Sequence, residues 1–92
     1  MSHEEIMDLT DAEREAERFL QTHYGIDELE ITGAELIDVA GMPVYKITGI
    51  ATKTIRRGFF GGLEEIVYDF TLKIHASDGK IVGKRVLERA KQ

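Results

Sequence analysis

The chain has no cysteine in its 92 residues and only one proline. Without cysteine there is no disulfide framework, no thiolate metal site and no thiol nucleophile. No charged-then-apolar leader opens the sequence, and no apolar run approaches the roughly 20 residues needed to span a bilayer. These absences predict a soluble, cytoplasmic protein with no membrane association. Cofactor and catalytic signatures are also missing. His3, His23 and His75 fall in three different segments, and none has a second ligand at metal-binding spacing. The acidic residues of the N-terminal part lack a His or Ser partner suited to acid–base work. The glycine-rich stretch at 58–62 has no Gly-x-x-x-x-Gly-Lys-Ser/Thr pattern and no following helix, so it is not a phosphate-binding loop. The expectation is a protein without cofactor or metal that is not an enzyme.

What is present is a charge division. The formal net charge is −5, but residues 1–40 carry 12 acidic and 2 basic side chains, whereas residues 41–92 carry 5 acidic and 10 basic. Such asymmetry can mark a surface for nucleic acid or another anion. It is also what two oppositely charged layers of one small domain would show, and that second reading is favoured because most charge runs are solvated faces.

The clearest structural statement lies at residues 65–76. Ile66, Tyr68, Phe70, Leu72, Ile74 and Ala76 alternate with Val67, Asp69, Thr71, Lys73 and His75. A period of two with one apolar face describes a strand half-buried under another layer. Upstream, Ala12, Ala16, Phe19, Leu20 and His23 or Tyr24 recur at helical spacing. Thr10 with Glu13 offers a capping box, Ser2 with Glu5 a second one, and Gly25 can end the helix in a left-handed conformation. This predicts a helix over 11–24, with residues 1–9 a flexible or short helical segment. Residues 29–40 read as a strand with a bulge near Gly33, and Gly41, Met42 and Pro43 as a turn. Residues 44–57 read as a long strand with a bulge near Gly49, because Ile50 and Lys53 break its alternation. Asp78-Gly79 suits a type I′ hairpin turn, after which residues 81–87 return as the last strand. The expected fold is α+β, a single domain over residues 1–92, with one N-terminal helix packed on a four-stranded antiparallel β-meander.

This order, with Leu9-Thr10-Asp11-Ala12-Glu13 and Ala16 at the helix start, resembles PepSY-like domains. The likeness continues in Val44-Tyr45-Lys46-Ile47, similar to that family's central strand, and in Ala76-Ser77-Asp78-Gly79-Lys80-Ile81-Val82, similar to its closing hairpin. Cystatin-like folds share the layout. The resemblance implies a small domain that acts by binding, as peptidase propeptides and envelope regulators do.

Two surfaces stand out as candidate sites. Arg56, Arg57, Phe59 and Phe60 frame a glycine-rich connection, where paired aromatics beside arginines can enter a partner's groove or stack on bases. The strand over 44–57 would extend roughly 45 Å, and a helix over 11–24 only roughly 21 Å. The helix therefore cannot cover the whole hairpin, and its tip must be covered by Ile6, Met7 and Leu9 or by another molecule. That points to a protein or peptide partner, or to self-association as a homodimer in which Arg56 and Arg57 face the acidic helix of the second copy. The other candidate is the sheet face away from the helix, expected to show Lys46, Lys73, His75 and Lys84 with Thr48 and Thr71. It could hold phosphates of nucleic acid or another polyanion, although it lacks the paired aromatics of sheet-type RNA readers.

Overall fold

A computed structural model describes residues 6–56, 58, 59 and 61–89. One helix, α1 (Leu9–Tyr24), precedes four strands, β1 (Glu28–Val39), β2 (Met42–Arg56), β3 (Leu63–His75) and β4 (Ile81–Glu88). The strands form one antiparallel sheet in the order β1-β2-β3-β4. The expected helix on a four-stranded meander is therefore the observed fold.

The helix starts earlier than the Thr10 box implies. Asp8 is the N-cap, its carboxylate accepting from the Asp11 N–H at 3.0 Å, so a free donor of the first turn is satisfied by an anion at the positive end of the helix. The Ser2 box lies outside the described residues. At the other end Gly25 takes φ 65° and its N–H bonds the Gln21 carbonyl, as the sequence predicts. Ala12, Ala16 and Leu20 are fully buried against Ile47, Ala51, Phe70, Leu72 and Ile74. Two alanines facing the sheet allow a close approach, and Phe19, Tyr24 and Tyr68 close the flank of this core. On the outer face Arg14 pairs with Asp11 at 3.8 Å and Arg18 with Glu15 at 3.4 Å.

The bulge in β1 lies between Ile31 and Gly33, as expected. Three other local expectations are corrected. Met42 and Pro43 belong to β2, opposite Val39 and Asp38, and the turn is Ala40-Gly41, both at positive φ (53° and 84°), as a two-residue type I′ hairpin requires. No bulge occurs at Gly49: the β2–β3 register runs unbroken from Val44↔His75 to Arg56↔Leu63. Gly49 is a glycine because a Cβ there would lie 2.9 Å from the Phe70 ring and closer still to the Glu30 carbonyl. Its neighbours Ile50 and Lys53 keep the alternation, Ile50 on the open face and Lys53 on the helix side, where its ammonium lies beside Gly25. A cation at the helix C-terminus is favourable. Finally, the β3–β4 connection is not a type I′ turn. His75 N–H bonds the Lys80 carbonyl and Gly79 N–H the His75 carbonyl, enclosing a four-residue loop in which only Gly79 has positive φ.

The molecule is long and thin, 63 × 22 × 17 Å. The 16 residues of α1 rise about 24 Å, whereas the 15 of β2 extend about 50 Å. The chain N-terminal to α1 is tied to the end of the sheet near the β3–β4 loop. Met7 N–H bonds the Ala76 carbonyl at 2.8 Å, and Tyr45 Oη donates to the Met7 carbonyl at 2.9 Å. From there α1 runs toward Lys53, so helix and N-terminal segment cover one end of the long hairpin and leave the other uncovered.

Candidate interaction surfaces

The four-stranded sheet stops well short of the β2–β3 turn. β1 begins opposite Thr52 and β4 ends opposite Tyr68. Two contacts mark the boundary. Asp27 N–H donates to the Thr52 carbonyl while its carboxylate accepts from Thr54 N–H at 2.6 Å. On the other edge Arg89 N–H bonds the Val67 carbonyl, and its guanidinium grips Asp69 through two bonds of 2.6 and 3.2 Å. Beyond them Lys53↔Ile66, Thr54↔Glu65, Ile55↔Glu64 and Arg56↔Leu63 continue as a two-stranded arm. Such a ribbon is marginal in water by itself, and among the described residues no third strand or helix flanks it.

At its end Phe59 is fully exposed, with a relative accessibility of 101%, and Leu63 is 68% exposed. Arg56, Gly58, Phe59 and Gly61 border a depression there of about 590 Å³. Gly58 has φ 59°, so the tip is a turn that demands glycine. Arg57 and Phe60 lie outside the described residues. Of the two ways to cover the tip, the intramolecular one is overturned, because Met7 is anchored at the opposite end of the sheet.

On the sheet face away from α1, Lys46 and Lys73 are directly opposed cross-strand neighbours, as are Thr48 and Thr71. Arg85, opposite Thr71, completes a basic triangle. Lys46, Thr71, Lys73, Gly83, Lys84 and Arg85 border a depression of about 420 Å³. Lys84 borders the depression, but its side chain turns away from this face. It stands opposite the buried Leu72, and its ammonium lies 5.7 Å from the centroid of the Phe19 ring on the helix side. The reason is a bulge in β4: Lys73 pairs with Gly83 and Ile74 with Ile81, leaving Val82 between them unpaired and reversing the parity of the rest of the strand. The isolated Gly83 inside a strand was the available signal, and Arg85 is the residue that sequence reasoning missed. His75 follows the polar parity, but both ring nitrogens are engaged in the loop, Nδ1 with Asp78 and Nε2 with Ser77, each at 3.2 Å. It belongs to the loop's scaffold.

Asp69, Arg89 and Asp78 have displaced protonation equilibria. The Arg89 hydrogen bonds hold Asp69 below the usual carboxylate range, partial burial opposing, and Asp69 in turn raises Arg89. Asp78 is lowered chiefly by the Lys80 N–H, and secondarily by His75. Among the described residues, no group of three His, Asp or Glu side chains is placed to hold a metal ion. No described helix is long and apolar enough to cross a membrane. No family model, curated protein or solved structure matches the chain.

Proposed function

We propose that this protein is a non-catalytic, cytoplasmic interaction module that binds a protein or peptide partner through the β2–β3 arm. The observation that carries this reading is Phe59, a large ring fully in water at the end of a ribbon no other described element covers. Burying one such side chain is worth roughly 1.5–3 kcal/mol, and Leu63 adds a second apolar contact on the same arm. Arg56 beside them supplies a charge that can orient an acidic partner without carrying the affinity. The resemblance to PepSY-like domains, which act by binding, agrees with this reading.

The test compares wild-type and Phe59→Ser proteins as baits at about 0.15 M and about 1 M salt, where screening of exposed charges differs severalfold. Capture that survives high salt and disappears in Phe59→Ser is the expected result. Capture abolished by salt but unaffected by Phe59→Ser would replace this reading with a phosphate-driven one, whose affinity falls steeply with ionic strength. Sedimentation of the purified protein identifies the case in which the partner is a second copy. A dimer that Phe59→Ser dissociates would show the arm pairing with itself.

A further inference from the structure

The open face carries an arrangement that the arm does not explain. Two lysines directly opposite one another on adjacent strands repel, and like-charged cross-strand pairs are destabilising. Lys46 and Lys73 nevertheless face each other in the middle of the sheet, both half-buried. Arg85 sits on the diagonal. None of the three makes an ion pair with a described residue. Of the nearest acids, Asp69 is held by Arg89 at 2.6 Å, and Glu35 stands directly opposite Lys46 on the β1 side without an ion pair between them. The side chain of Lys73 is also guided. Its Cβ, Cγ and Cδ pass over Gly83, where an added Cβ would come within 3.3–3.6 Å of all three. A missing side chain at Gly83 thus makes a shallow trough along which the lysine stem lies. Thr71 contributes a hydroxyl to the same depression of about 420 Å³.

From this geometry we infer that Lys46, Lys73 and Arg85 form a binding site for a compact phosphate-type oxyanion. Guanidinium and ammonium donors converging on one depression match the charge and hydrogen-bonding capacity of a phosphoryl group. An anion seated between Lys46 and Lys73 removes the repulsion between them. The ligand is compact, not a long polyanion, for two reasons. The basic triangle is bounded on the β1 side by Glu30 and Glu35 and distally by Asp69, so an extended backbone would cross acidic ground. The face also has no Phe, Tyr or Trp side chain among the described residues, since Tyr45, Tyr68 and Phe70 share the helix side. The His75 ring is tied into the β3–β4 loop by Ser77 and Asp78, so base stacking has no platform. This site is independent of the arm and stands or falls without it.

The experiment is a titration of the full chain with inorganic pyrophosphate at constant ionic strength, read by the backbone amide NMR shifts. Saturable shifts centred on Thr71, Lys73, Gly83 and Arg85 are expected. Lys73→Gln should weaken the binding about tenfold, the loss of one charge-assisted hydrogen bond, and Lys46→Gln should act alike. In anion-free buffer Lys73→Gln should raise the unfolding midpoint, because it removes the opposed charge, while abolishing the further rise that pyrophosphate gives the wild type. Lys53→Gln, on the helix side of the arm, should leave the titration unchanged. Absence of saturable shifts, shifts spread evenly over all lysines, or an unchanged titration in Lys73→Gln would overturn the inference. So would a single-stranded oligonucleotide binding the same residues more tightly than pyrophosphate, which would make the face a nucleic-acid surface.

Discussion

Ala40 and Gly49 show how much one side chain can decide. Ala40 is held at φ 53°, a conformation that costs a non-glycine residue about 1–2 kcal/mol. Ala40→Gly should therefore stabilise the protein by up to about 1 kcal/mol in urea unfolding, the relief outweighing the added freedom of the unfolded chain. Gly49→Ala should do the reverse. Its new methyl would drive into the Glu30 backbone carbonyl as well as the Phe70 ring, and because backbone cannot step aside the cost is about 3 kcal/mol or more. Gly62→Ala, with nothing within 4 Å of its Cβ, is the matched control and should change little. The Asp69–Arg89 pair sets a pH dependence. Asp69 titrates lower in the folded protein, so its contribution is complete above the unfolded value of about 3.9 and is lost as pH falls through the lowered folded value. The end of β4 should fray in acid, and Arg89→Gln should return the Asp69 carboxyl midpoint, followed by carbon-13 NMR, toward about 3.9. An identical midpoint in both proteins would contradict the pairing.

At the scale of elements, the strand that is β3 was the most legible in the sequence. Its unbroken alternation reports one face packed under α1 and one face open, and period two survives any change of neighbour. The helix was legible for the same reason, apart from its cap, where Asp8 and Thr10 are both competent residues and only the local backbone chooses between them. β4 was misread at Lys84, since a bulge is a single extra residue that leaves composition untouched and turns the side chains beyond it over. In β2, Lys53 looked like a break in pattern because its partner, the end of α1 at Gly25, is a tertiary neighbour invisible in the local sequence. The arm itself was foreseeable from element lengths alone. What those lengths could not give was where the N-terminal residues go, since Met7 is fixed by hydrogen bonds to Ala76 and Tyr45, both far away along the chain.

For the molecule as a whole, the 63 Å long axis divides it into a packed body and an arm. The body is where the buried core lies, from Ala12 and Leu20 to Ile74, and it is closed distally by Asp27 and Arg89. The arm adds length without adding core, which for so small a domain is a cost in ordering unless something binds it. The charge division also resolves at this scale. The acidic N-terminal half supplies α1 and β1, and the basic half supplies the centre and far edge of the sheet. One layer and one edge are negative, and the open face gathers Lys46, Lys73 and Arg85.

The central claim, that the arm exists to bind and not to hold the fold, is tested most directly by removing it. Residues 55–64 are replaced by Asn-Gly, so that Thr54 and Glu65, already opposite one another, are joined by a two-residue turn. The unfolding midpoint and partner capture, or self-association where the partner is a second copy, are then measured on the same sample. The account predicts an unfolding midpoint within a few degrees of the wild type, since a few degrees corresponds to about 1 kcal/mol or less in a domain of this size, together with complete loss of binding. A body that no longer folds without the arm, or one that folds and still binds, would contradict it.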